Sequence, residues 1–299
     1  METFARRRYS RFVVAIDIVV VSYRSERTLR ACVGPLAHVD GMHVFAVDNA
    51  SGDGSLDSIA DLPVTSIALD ENRGFSHGNN VGIRAGDAPL VLFLNPDARI
   101  EPDALRRLAR VLDDERVGAA APKIVDDDGS LHFSQRRFPT LRATYARALF
   151  LHRLFPDVEE LVRDPAAYEQ PGSPDWVSGA CVLVRRSLLE RLGGWDESFF
   201  LYAEDIDLCR RIRDAGCDIR YEPAAVARHV GGVSAPRTGL LPVLTASRVR
   251  YARKHRGPLF TVLERAGLAL GALTHLAAAR GGIAARRGHA RSLLRALGA

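Results

Sequence analysis

Three carboxylates, Glu204, Asp205 and Asp207, follow the aromatic run SFFLY in WDESFFLYAEDIDLCRRIRDAG (195–216). A carboxylate at a cleft edge can act as a general base and take the proton of an attacking hydroxyl. The same acids can instead offset the positive end of a helix, by about 0.3–1 kcal/mol each. Another acid, Asp97, closes the apolar run of LFLNPDARI (92–100), where Pro96 ends the strand ladder. Its oxygens suit Mg²⁺ or Mn²⁺, cations held by one or two carboxylates plus substrate phosphates. A turn-capping aspartate is the alternative. His229, in ARHVGGVS, is a reasonable further ligand for Mn²⁺, or simply a structural imidazole.

Two other stretches offer contacts to a nucleotide. Asp48 in VDNASGDGS can accept from a pyrimidine N3–H or a ribose hydroxyl, or it can initiate a turn. ENRGFSHGNNVGIRAG (71–86) carries Asn72, Arg73, Gly74 and Asn79. Its glycines would let backbone approach a ligand, and Arg73 would meet a phosphate; a loop leading into a glycine-packed helix is the alternative. The turn after the first strand lacks G-x-G-x-x-G and no Walker A motif occurs, so side chains rather than a glycine cradle would hold any nucleotide.

These residues need a frame that brings them together. Apolar runs at 16–23, 43–50, about 64–71 and 88–100 alternate with helical patterns, as in a doubly wound, mostly parallel α/β sheet. Ligands of such sheets lie beyond the carboxyl ends of the strands. Ser22, Tyr23, Asp48, Asn95 and Asp97 sit at those ends. Residues 1–235 form the α/β domain, and 236–299 form a basic, amphipathic helical extension.

The net charge of +5 is unevenly placed, because residues 240–299 hold eleven Arg or Lys against Glu264 alone. That leaves −5 on residues 1–239, which argues against a nucleic-acid-binding face on the main domain. The tail instead suits an anionic membrane surface, with packing on the domain or on a second subunit of a homo-oligomer as the alternative. Cys32, Cys181, Cys209 and Cys217 make no CxxC pair and read as reduced thiols of a cytoplasmic protein. The basic start resembles a signal peptide, but Asp17 interrupts its apolar run and a first strand explains it better. No uninterrupted apolar run reaches the roughly 18 residues of a spanning helix.

Taken in order, VVSY, VDNASGDGS, NRGFSHGNNVGI, FLNPDA, SGACVLVRR and GGWDESFFLYAEDIDLCRRIRDAG, followed by His229, resemble the family-two inverting glycosyltransferases of GT-A fold. The rhamnosyltransferase-like subgroup is most similar, over about residues 16–235. The resemblance implies that Asp48 reads the base or ribose and that Asp97 and His229 hold the metal. Asn95 stands where the first acid of the family's metal motif usually sits. Asp205 would be the base, and Trp195, Asp196 and Glu197 would line the acceptor side, with Glu204 beside them. It implies dTDP-L-rhamnose as donor, with UDP-hexose or UDP-galactofuranose as alternatives, and a glycan or polyprenyl-linked acceptor at the cytoplasmic membrane face. A non-catalytic nucleotide-sugar binder of the same fold is the competing reading.

Overall fold

The computed structural model describes residues 14–230, 237–278 and 282–298. The basic N-terminal segment, the boundary at 235 and Arg280 lie outside them. The strands are β1 (Ile16–Ser22), β2 (Met42–Asp48), β3 (Thr65–Ala68), β4 (Leu90–Leu94), β5 (Ala98–Ile100), β6 (Val117–Val125), β7 (Leu131–His132), β8 (Gln135–Arg136), β9 (Trp176–Val177), β10 (Cys181–Arg185) and β11 (Asp218–His229). The α-helices are α1 (Leu29–Ala37), α2 (Phe75–Ala85), α3 (Pro102–Val111), α4 (Leu141–Ala148), α5 (Arg186–Leu192), α6 (Glu204–Asp214), α7 (Arg237–His255), α8 (Pro258–Ala278) and α9 (Gly282–Leu297).

The main sheet runs β3-β2-β1-β4-β10-β6-β11-β5, with β7 beside β6; β8 and β9 form a small separate ribbon. The sheet is mostly parallel, with β10, β5 and β7 running against the rest. Successive β1 side chains point to opposite faces. Ile18 and Val20 join Leu29, Leu36, Leu105 and Leu108 under α1 and α3. Val19 and Val21 join Ile83, Leu188, Ile206 and Ile212 under α2, α5 and α6. Both faces are therefore covered, as an unbroken apolar strand requires. Asp17 is buried and bonded to Arg186 at 2.6 Å and to the Ala88 N–H at 2.9 Å. It joins the start of β1 to the start of α5.

Residues 88–100 are not one strand. After β4 the chain turns at Asn95–Pro96–Asp97, closed by Ala98 N–H on the Asn95 carbonyl at 3.0 Å. It then crosses to the far edge, where β5 pairs with β11 and Ala98 faces His229. Proline's missing N–H makes a continued ladder unfavourable there.

The tail is built onto the same core. Tyr251 of α7 packs among Trp195, Phe199 and Ile206. Ser247 donates to the Leu201 carbonyl at 2.8 Å. Arg248 bridges Glu160 at 2.6 Å and Glu264 at 2.8 Å. By length and composition α8 is long and apolar enough to cross a membrane. Its Glu264, however, is buried and also accepts from Thr144 of α4 at 2.7 Å.

Candidate functional site

The β5–β11 pairing creates the first corner of the site. Asp97 Oδ1 lies 3.1 Å from His229 Nε2, and the Asn95 amide lies 3.4 Å from the same nitrogen. The Val230 N–H closes the corner on the Asp97 carbonyl at 3.1 Å. His229 Nδ1 is buried without a partner. Carboxylate, amide and imidazole donors around one point fit a Mg²⁺- or Mn²⁺-class cation. Among the described residues no cluster of three His, Cys, Asp or Glu exists, so a cation here would complete its shell from a bound phosphate.

Asp205 forms the second corner. Tyr202 and Ala203 both have left-handed backbones, at φ 69° and 63°. For non-glycine residues this costs about 1–2 kcal/mol each, and it swings the start of α6 toward residues 178–180. Asp205 Oδ2 accepts the Gly179 N–H at 3.3 Å, and Oδ1 accepts the Ile206 N–H at 2.9 Å. The neighbouring Ala180 carbonyl accepts the Asn95 N–H at 2.9 Å. The two corners thus flank one short segment, Gly179–Ala180.

Burial raises the pKa of Asp205, and the Gly179 N–H and the Arg136 guanidinium offset part of that rise. Glu204 is driven well above the ordinary carboxylate range by burial and then by the Asp205 charge. Its Oε2 is buried without a partner, which suits a protonated acid rather than a substrate contact. Two adjacent acids pushed apart in this way can take different roles.

Asp207 does not cap the helix. It is fully buried and binds Arg211 at 2.8 Å, Lys254 at 2.6 Å and His255 at 2.7 Å. Burial alone would raise its pKa, but His255, Arg211 and Lys254 outweigh burial and lower it. Lys254 also reaches Asp196 at 2.6 Å. Burial again opposes ionisation of Asp196, yet Lys254 and Ser198 hold it at about 2. The tail thereby clamps α6 and the 195–198 loop together.

Trp195 is a core residue rather than an acceptor contact. It is 2% exposed and lies edge-on to Phe93 and Phe75, with ring centroids 4.9 and 5.6 Å away. Glu197 is engaged by His77 at 2.7 Å and Asn80 at 3.0 Å, with Arg73 at 3.7 Å. Asn80 also exchanges hydrogen bonds with the Trp195 backbone, 2.9 Å each way. Asn79 donates to Phe75 inside its own helix. Gly74 makes its close approach to protein, not to a ligand. Its φ is 92°, and a Cβ there would lie 2.3 Å from the Phe200 carbonyl. Asn72 accepts the Gly74 N–H at 3.0 Å.

At the β1–β2 edge, Ser22 lies level with Asp48 and its buried hydroxyl has no partner. Asp48 accepts the Ser51 N–H at 2.9 Å and the Ser51 hydroxyl, the turn form of its two readings. Tyr23 lies beside this edge with the Arg24 guanidinium 5.3 Å from its ring centre.

Four residues carried no distinct signal in the chain. His132 meets His229 edge-on at 5.5 Å and is held by Asp126 at 3.1 Å. Arg136 stacks over Trp176 at 5.1 Å, with its Nε buried and unpartnered. Lys254 and His255 read only as tail charge. Arg136 yields a prediction. Its guanidinium favours the charged form of Asp205, so Arg136→Gln raises the Asp205 pKa further. The Asp205 carboxyl, followed by NMR titration, then ionises at higher pH, whereas an unmoved titration would remove Arg136 from the site.

The sequence profile described as "Glycosyltransferase like family 2" matches residues 15–257. The chain is 34% identical over 238 residues to the N-acetylglucosaminyl-diphospho-decaprenol L-rhamnosyltransferase of Mycobacterium tuberculosis, covering 72% of this chain and 75% of that protein. It is 32% identical over 166 residues to rhamnosyltransferase WbbL of Escherichia coli K12, covering 52% of this chain but only 60% of WbbL. The mannosyltransferase PcManGT of Pyrobaculum calidifontis, solved with GDP-Man and Mn²⁺, superposes with a TM-score of 0.58. At 19% identity, covering 94% of this chain and 85% of that one, it shares the GT-A architecture.

Proposed function

The chain belongs to the glycosyltransferase-like family 2, and on that basis we propose that it moves a sugar from a nucleotide-sugar donor to a hydroxyl of a glycan or lipid-linked acceptor. The observation that supports the reading is that Asn95, next to the Asp97–His229 pair, and Asp205 bond to the adjacent residues Ala180 and Gly179. The donor nucleoside lies along Ser22, Tyr23 and Asp48. Asp97 and His229 would hold Mg²⁺ or Mn²⁺, which would neutralise the charge that develops on the diphosphate leaving group. Asp205 accepts the proton of the attacking acceptor hydroxyl, which is a poor nucleophile until then. A single displacement from the face opposite the leaving group inverts the anomeric centre. Glu204, protonated, keeps a second negative charge away from the base. Rhamnosyltransferase names among the relatives favour L-rhamnose from dTDP-L-rhamnose, with a UDP-hexose as the alternative, in polysaccharide synthesis at the cytoplasmic membrane face.

A donor screen tests this reading. Release of dTDP or UDP in the presence of Mg²⁺ or Mn²⁺ and a polyprenyl-linked acceptor is expected; no release with any donor would leave a binding protein. Asp97→Ala is expected to weaken Mn²⁺-dependent nucleoside diphosphate binding by at least about 10-fold, since even residues behind a metal ligand count for that much. An unchanged metal titration would contradict the assignment.

A further inference from the structure

A cavity of about 460 Å³ opens between α7, α8 and α9 and reaches Ser198 of the 195–198 loop. Arg250, Arg253 and Lys254 from α7, Arg265 from α8 and Arg295 from α9 line it, with no acidic side chain among the lining residues. Lys254 is neutralised by Asp196 and Asp207, and Arg265 is fixed by the Ala296 carbonyl at 2.7 Å. Among the described residues the side chains of Arg250, Arg253 and Arg295 have neither an ion pair nor a hydrogen bond.

A solvated basic face would spread its cations around a helix. Here three helices bring theirs to the rim of one open concavity, where Arg250, Arg253 and Arg295 stay solvent-exposed and repel one another in the absence of an anion. Arginine forks match phosphate oxygens geometrically, and the volume exceeds a lone phosphate. Val249 and Ala246 are apolar members of the lining, and outside it the same helices leave Val262, Leu294 and Leu297 exposed at 62%, 55% and 63%, apolar surface for a ligand that carries an apolar chain. We propose that this cavity binds the phosphate of a lipid, either a membrane headgroup phosphodiester or the diphosphate of a lipid-linked acceptor. The acceptor alternative rests on the glycosyl-transfer reading; the cavity itself does not. Through Lys254 the occupied cavity would abut the clamp that holds Asp196 and Asp207.

Calorimetry on the full chain, with chelator at low salt, uses inorganic pyrophosphate as probe. The comparison is the triple variant Arg250→Gln/Arg253→Gln/Arg295→Gln, which leaves Lys254 and the clamp intact. Wild-type protein binds pyrophosphate, and the variant loses at least about 10-fold, the loss expected for charged hydrogen bonds. Equal binding by the variant, or none by the wild type, overturns the proposal. Flotation with phosphatidylglycerol and phosphatidylcholine vesicles separates the sources. Arginine-dependent flotation with phosphatidylglycerol alone assigns a headgroup, and pyrophosphate binding without flotation assigns a diphosphate. Manganese-dependent dTDP or UDP binding, measured alongside, stays unchanged in the variant, and its absence from both proteins would instead count against the glycosyl-transfer reading.

Discussion

Asp205→Asn lowers kcat by about 10²–10⁴-fold, the range a positioned general base contributes. Asparagine keeps the size of the side chain and an oxygen that can accept from Gly179 or Ile206. It loses the ability to take a proton, together with the negative charge and one of the two acceptor oxygens. Donor binding therefore persists, because the interaction removed is made in the transition state and not in the ground state. Loss of the Asp205 charge also relieves Glu204, whose pKa moves back toward the ordinary range. Single-turnover kinetics together with nucleotide titration separate the two effects. Equal loss of binding and rate would mean that Asp205 holds the donor or the fold instead.

Asp207→Leu destabilises the protein by about 3–5 kcal/mol, the cost of breaking a buried charge pair and leaving its partner uncompensated. Arg211, Lys254 and His255 all converge on that one carboxylate. The effect depends on pH in a defined direction. The folded-state pKa of Asp207 is lowered, so its contribution is present above the unfolded-state value and fades as pH falls through the folded one. Urea unfolding of both proteins at neutral and at acid pH reads this directly. The gap between them narrows in acid; a constant gap would mean that packing, not charge, sets the loss.

The alternating pattern was readable because each strand is a continuous apolar run, and its neighbours follow closely in sequence. Ser22, Asp48 and Asn95 fall at strand ends for the same local reason. The corner at Asp97 was harder. LFLNPDARI is apolar on both sides of its turn, so nothing local says that Ala98–Ile100 leaves β4 and pairs instead with β11. Asp207 looks like a capping acid until its partners are known, and Lys254 and His255 lie 47 and 48 residues away. Trp195 sits among charged residues in the sequence, but Phe93 and Phe75 draw it inward. Arg136 and His132 belong to short elements whose periodicity is too brief to announce a position.

In the proposed reaction Asp97 and His229 stand on the leaving-group side of one donor sugar and residue 205 on the acceptor side. A crystal structure of Asp205→Asn with Mn²⁺ and an intact donor, with anomalous data locating the manganese, tests it most directly. Manganese density is expected between Asp97, His229 and the diphosphate, with the anomeric carbon facing residue 205. Manganese bound elsewhere, or residue 205 turned away from the sugar, would contradict it.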